Sequence, residues 1–405
     1  NQIITVNGTT VYYLSSGTWT SKRTVTTGLK SRFTTFLDFV WMVNGTDATA
    51  IWSGAAADSF ITTGNAASAP VGSLIENFRS RVWIAGNTTY PDRVYFSSVP
   101  SAVTTPIVTW NTSVTTGDWI DVSPSDGENI TGLKRHKTAL LVFKNNHIYR
   151  IYSITESEPD PKINVGTYSN ESVVEAKDGV YFHHPSGFYK YVDGGVSEIS
   201  RPIIDIVNNI TLANYSSVCG WEDGDHVYWS VGNVTIKGTT YSNIVVRYTI
   251  STQTWAHYSY PKQFLFAGRY NDGTTLFRLV GDNDGNILKI NVGTSDNDSA
   301  ISYSLIHRWY YVDGLLSTEK NLPKLLFCHD GGAAEANISY QTEGMERNDW
   351  TKSLGQMTNT DTLAENVPVK GRKCRFRISG STTGVPFSYY GFEIPEGTYD
   401  ITQNV

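Results

Sequence analysis

The sequence predicts an all-β protein, a β-propeller of six or seven blades followed by a C-terminal β-sandwich-like domain. Three observations predict it. Charged residues make up 17% of the 405, below the ~25% usual for soluble domains, and 35 glycines help take their place. Short β-branched and aromatic runs recur at roughly 35–50-residue spacing, separated by Gly, Asn and Asp turns. Some runs, such as Leu140-Leu141-Val142-Phe143, are apolar at every position. Both of their faces need cover, and units that cannot bury both faces alone must stack.

The N-terminal segment offers strands at 1–6, 11–14 and 18–23, and 1–6 reads as a strand and not as a leader. This segment either completes the last blade or forms its own, hence six or seven. The units that follow hold strands at 32–37, 40–45 and 49–54, then at 74–79, 81–86 and 93–97. The next are 130–134, 139–143 and 147–152, then 173–176, 179–183 and 187–191. The fifth unit has four, at 217–221, 226–230, 243–248 and 254–258, and the sixth has 264–268, 276–280 and 286–290. Asn44-Gly45, Asp178-Gly179 and Asp284-Gly285 are dipeptides suited to tight turns. Apolar residues Ile203, Ile206, Val207 and Ile210 have helical spacing and predict one helix over 202–210. A polar break at 297–299 divides the propeller (1–298) from the sandwich-like domain (299–405), with strands at 302–306, 324–328, 336–340, 374–378 and 389–394.

The net charge is −6, which argues against a dedicated duplex-DNA binder, since those carry a basic surplus. No apolar run is long enough to cross a membrane. Cys219, Cys328 and Cys374 are too few and scattered for a disulfide framework or a metal knuckle, and read as free thiols. His183 and His184 are adjacent, so on a strand they point to opposite faces and do not chelate one metal. Asp282-Asn283-Asp284-Gly285-Asn286 lacks the closing glutamate of a calcium loop and reads as a hairpin turn. Ser123-Pro124-Ser125-Asp126-Gly127 has the look of an aspartate-box turn, without the aromatic that should follow and without repetition. There is no nucleophile elbow, no phosphate loop and no zinc-protease motif. The chain is therefore read as a non-enzyme with no cofactor.

Two basic clusters stand out: Lys134, Arg135 and Lys137 around His136, and Arg372, Lys373 and Arg375 followed by Arg377. They are either solvated strand ends or contacts to phosphate or to an acidic neighbouring subunit. Most of the 11 Trp and 24 Tyr fall inside strand patterns, as packing between blades requires. Tyr90, in the loop 88–91, is a candidate platform for a sugar.

The repeats resemble the β-propeller structural proteins of tailed bacteriophages, the tail nozzle and packaged-DNA stabilisation proteins of short-tailed phages among them. Four stretches carry the resemblance: RFTTFLDFVWMVNG at 32–45, RVWIAGNTTYPDRVYFSS at 81–98, VGTYSNESVVEAKDGVYFHHPSGFYKYVD at 165–193 and VGDNDGNILKINVGTSDND at 280–298. RFRISGSTTGVPFSYYGFEI at 375–394 is similar to the closing sandwich strands of such proteins. The resemblance implies a virion protein, made in the host bacterial cytoplasm and built into the phage tail. It implies a homo-oligomer, a hexameric ring, around the DNA exit channel, with portal or adaptor and tail fibre or spike subunits as partners and viral DNA in transient passage. The alternative is a carbohydrate- or receptor-binding module at a tail tip or fibre attachment.

Overall fold

Period-two alternation governs the first part of the chain, and the structure shows where each parity goes. The computed structural model describes residues 3–101, 107–154, 164–193, 195–293, 300–311, 319–330, 336–343, 345, 349–356, 362–382, 388–394 and 400–402. Seven antiparallel sheets follow one another in chain order. Blade 1 is Ile3–Asn7, Thr10–Ser15 and Thr18–Thr24. Blade 2 is Arg32–Phe36, Phe39–Val43 and Ala50–Trp52. Blade 3 is Leu74–Phe78, Arg81–Ala85, Arg93–Phe96 and Trp119–Asp121. Blade 4 is Gly132–His136, Ala139–Phe143 and Ile148–Ile151.

Blade 5 is Val174–Ala176, Gly179–His184, Gly187–Val192 and Gly195–Glu198. Blade 6 is Cys219–Asp223, His226–Ile236, Thr239–Thr249 and Thr254–Ser259. Blade 7 is Phe264–Asn271, Leu276–Asp282 and Ile287–Ile290. The first strands of blades 2, 3 and 4 lie side by side, and so do those of blades 5, 6 and 7. First strands therefore gather at the axis and later strands lie outward, the arrangement of a β-propeller.

The core lies between blades. In Ala139–Phe143, Leu140 and Val142 join residues of blade 3, while Leu141 and Phe143 join residues of blade 5. In blade 3, Val82 and Ile84 face blade 2 and Trp83 and Ala85 face blade 4. In Phe39–Val43, Trp41 and Val43 face blade 3 and Met42 faces blade 1. Blades 5 and 6 meet through Tyr181, Phe188 and Trp229, and blades 6 and 7 through Trp221, Tyr228 and Phe264. The Asn7 side-chain amide lies near the Gly285 turn of blade 7. The N-terminal segment thus forms a blade of its own, which settles the count at seven.

The 202–210 segment is a single helical turn, Ile204–Val207, entered by a 3-10 turn at Arg201–Ile203. Ile206, Val207 and Ile210 are buried against blades 5 and 6. Their spacing reports packing, and the Asn208-Asn209 pair, poor helix formers, ends the turn. The Asp282–Asn286 loop is a hairpin turn between the last two strands of blade 7: the Asp282 carboxylate accepts from the backbone N–H of Asp284 and of Asn286. Gly285 there has φ 90°, which favours glycine.

The described chain divides into two compact units, Asn1–Ile290 and Asn291–Val405; the polar break expected at 297–299 lies outside the described residues. In the second unit one sheet has the order Ile301–Ile306, Cys374–Thr382, Asn337–Thr342, Ser353–Gln356. The other has Thr362–Gly371, Glu319–Asp330, Ser388–Glu393, with Asp400–Thr402 also pairing with the central strand. Leu325, Phe327 and Val369 from one sheet meet Ile338, Tyr340, Phe376 and Ile378 from the other. Two sheets closing on one apolar layer make a β-sandwich.

Candidate interaction surface

The first basic cluster belongs to the innermost strand of blade 4. Arg135 donates to Asn77 Oδ1 of blade 3 at 2.6 Å. Burial pushes the neighbouring Glu76 carboxyl up from its ordinary range, while Lys134 and Arg135 pull it back down. His136 is buried, 3.5 Å from Glu175 and edge-on to Tyr191 of blade 5. Lys137 sits in the turn at φ 49° and pairs with Asp193 at 2.6 Å, both side chains more than half exposed. Each of these cations faces a polar or acidic group on the adjoining blade.

The axis holds a second polar group, which the sequence reading did not single out. Glu171 lies in a short 3-10 turn, Asn170–Ser172, just before blade 5. Its carboxylate receives Arg32 Nε at 2.7 Å and Lys30 Nζ at 3.3 Å. Blades 2 and 5 are three apart in a ring of seven, so these contacts cross the axis. Arg32 also donates to the Ser73 carbonyl and Lys30 to the Ser216 carbonyl, just before blades 3 and 6. Asn170 Oδ1 accepts from Leu133 N of blade 4, and Ser169 Oγ donates to the Val218 carbonyl. Trp229 Nε1 of blade 6 donates to the Ser172 carbonyl. Burial opposes ionisation of Glu171, but Arg32 and then Lys30 outweigh it and hold its carboxyl below the usual range.

The aspartate-box-like turn has a structural role. Lys144, fully buried, reaches Asp92 at 2.7 Å, Asp126 at 2.8 Å and the Ser123 carbonyl at 3.0 Å. The Ser123–Gly127 turn therefore caps a buried ammonium and pins blade 3 to blade 4. Of the adjacent histidines, His183 is buried and His184 bonds Ser186 and Asn146. Burial pushes the His183 imidazole down to about 3, so it is neutral at physiological pH. None of Cys219, Cys328 and Cys374 is in a disulfide, the first and last are buried, and burial pushes the Cys219 thiol up.

The second basic cluster has a different setting. Along Cys374–Thr382, Cys374, Phe376 and Ile378 are buried in the sandwich core. Lys373, Arg375 and Arg377 alternate with them and face the other way. Two indoles lie among the cations. Lys373 and Arg375 flank Trp309 at 4.6 and 4.7 Å from its ring centre. Arg375 and Arg377 flank Trp350 at 5.1 and 5.8 Å. The order along the strand is Lys373, Trp309, Arg375, Trp350, Arg377.

Gln341 on the neighbouring strand, fully buried, accepts from Arg375 Nε and Nη2 at 2.9 and 2.6 Å, and Arg377 Nε donates to Ser304 Oγ at 3.1 Å. Arg372 is exposed; its backbone N–H and that of Lys373 donate to the Glu343 carboxylate at 2.6 and 3.1 Å. Those bonds outweigh burial and hold Glu343 below the usual carboxyl range. Cation–π contacts orient the charged heads. Tyr90, the candidate sugar platform, lies 4.3 Å from the Arg93 guanidinium, which sits 3.5 Å from the Trp119 ring centre.

No family model matches the chain, and no curated protein matches it. Among solved structures it is similar to the computationally designed Ika8 protein, at 9% identity and TM-score 0.42, over 71% of this chain and 92% of that one. It is similar to a chain of the mitotic checkpoint complex, at 10% identity and TM-score 0.45, over 71% and 83%. It is also similar to BamB from Moraxella catarrhalis, at 11% identity and TM-score 0.42, over 71% and 80%. The propeller assignment stands on the sheet order itself. Among the described residues no helix is long and apolar enough to cross a membrane.

Proposed function

We propose that the chain is a structural virion protein of a tailed bacteriophage, a tail nozzle or hub subunit that forms a ring around the DNA exit channel. The stretches that resemble phage propeller proteins supply the virion setting, the hexameric ring, and the portal, adaptor and fibre or spike partners. The observation that carries the assembly half of this reading is the Lys373–Arg377 stack. It keeps cationic groups on the sandwich surface of a chain whose net charge is −6, the arrangement of a contact with an acidic neighbour. Within one propeller the Arg32–Glu171–Lys30 group occupies the axis, so the DNA path in this reading runs between copies.

Light scattering of the purified protein, followed by class averages in the microscope, tests it. A closed ring with a central hole is the expected result. Charge reversal at Arg372, Lys373 and Arg375 is expected to weaken assembly more than monomer folding. Full incorporation of that variant into particles contradicts the assigned contact. A wild type that stays monomeric, even with a portal or adaptor as template, contradicts the reading. It turns attention to a carbohydrate- or receptor-binding module, for which a glycan array is the measurement.

A further inference from the structure

We propose that the propeller opens along one line, the junction between blades 7 and 1, while its other junctions stay shut. The inference concerns a single copy and stands apart from the assembly reading above. Apolar cores join neighbouring blades all the way from blades 1 and 2 round to blades 6 and 7. The junction that closes the ring, between blades 7 and 1, has no such core among the described residues. No strand crosses it either, since each of these blades forms its own three-stranded sheet. Among the described residues no hydrogen bond, ion pair or ring contact joins the two blades. The Asn7 amide beside the Gly285 turn is the approach between them.

Both faces of this seam are nonetheless apolar. In blade 1, Val11 and Tyr13 face blade 2, so the alternate residues Tyr12 and Leu14 face the other way. Trp19 lies opposite Leu14 and is 42% exposed. In blade 7, Val280, Leu288 and Ile290 face blade 6, which turns Phe277 and Leu279 toward blade 1. The Phe266 ring lies over Gly281 on that side and is also 42% exposed. Leu140 and Val142, on the middle strand of blade 4, have no exposure at all. Parting any other pair of blades returns a shared apolar core to water, which is costly. Parting blades 7 and 1 uncovers no such core and breaks no ladder, so the hydrogen bonds inside every blade survive.

Spin labels on paired cysteines read the seam directly in the full chain. Leu276→Cys in blade 7 is paired with Thr20→Cys in blade 1 across the seam, and with Thr254→Cys in blade 6 across a closed junction. All three positions are exposed. Cys328→Ser removes the half-exposed native thiol, and Cys219 and Cys374 are buried. The seam pair is expected to give a distance distribution with a second, longer component that the blade 6–7 pair lacks. Thiol labelling gives an independent reading. Leu279→Cys and Val280→Cys are neighbours on one strand, both buried and facing opposite ways. Leu279→Cys is expected to react at least about tenfold faster, as a low-energy local opening requires. The exposed label pairs keep the test decisive if Val280→Cys does not fold.

A single narrow distance for both pairs overturns the proposal, and so does equal protection at 279 and 280. Fast labelling at 279 together with one narrow seam distance also overturns it, and describes a fixed groove instead of an opening. A second component in the blade 6–7 pair overturns it too, because the opening is then not confined to the seam. None of these outcomes bears on whether copies of the chain form a ring.

Discussion

Lys134–Lys137 and Arg372–Arg377 look alike as sequence and end in opposite circumstances. In the propeller the cations lie beside carboxylates or amides of adjoining blades, at Glu76, Asn77 and Asp193. In the sandwich Lys373, Arg375 and Arg377 are interleaved with indoles, while Arg372 lies near the Glu343 carboxylate. A carboxylate cancels a charge; an aromatic ring positions it and leaves the field intact. The first cluster therefore ties blades together, and in the reading proposed above the second meets an acidic partner. A basic run does not by itself announce which of these it is.

That contrast can be broken by substitution. The largest effect is expected at the blade junctions. Trp83→Ala removes a fully buried indole whose Nε1 donates to the Phe78 carbonyl at 2.9 Å. It should cost about 3–5 kcal/mol in a denaturant titration, and an unchanged midpoint would refute the junction core. Lys144→Ala strands the carboxylates of Asp92 and Asp126 and should also cost about 3–5 kcal/mol. A loss under about 1 kcal/mol would mean that internal charges do little for the propeller.

Next comes Glu171→Gln, with an expected loss of about 1.5–3 kcal/mol for a charge-assisted network. Its pH dependence has a definite sign. The folded carboxyl titrates below the unfolded value of about 4.3, so the stabilisation is present above that value. It is lost as pH falls through the lower, folded value. The gap in stability between wild type and Glu171→Gln should thus be flat near neutrality and close on acidification. A gap that widens on acidification contradicts the ion pairing.

Smaller still, Lys373→Ala should cost about 0.5–1 kcal/mol in folding while measurably weakening self-association. If it costs more in folding and leaves association untouched, the stack is internal glue and the contrast fails. The smallest effect belongs to Lys137→Ala, whose exposed, solvent-screened pair with Asp193 should leave the melting midpoint unchanged. Thermal melts of the two alanine variants side by side give the comparison directly.

The blades were legible because the middle strands are apolar at both parities, as in 139–143, and this pattern admits few folds. Strand 195–198 was not legible, because it is an exposed outer strand with one apolar residue and no hydrophobic period to read. Strand 362–371 escaped for a different reason: Glu365, Asn366 and Pro368 interrupt its apolar residues. The basic clusters were visible as charge, but their partners were not, since Glu76 is some sixty residues from Lys134 and Trp309 more than sixty from Lys373. Glu171 gave no local signal at all. Lys30, Arg32 and Glu171 meet only because the ring closes, and a long-range pairing of that kind leaves no trace in a sequence window.

The two-sided middle strands have a mechanical consequence. Because Ala139–Phe143 supplies alternate side chains to two junctions, removing one blade opens apolar surface on both its neighbours. No blade can then fray without weakening the next, and the first unit should resist pulling as one body up to a single abrupt rupture. Hydrogen exchange offers a gentle version of that test: amides at 82–85, 140–143 and 227–230 should share one opening free energy and exchange together.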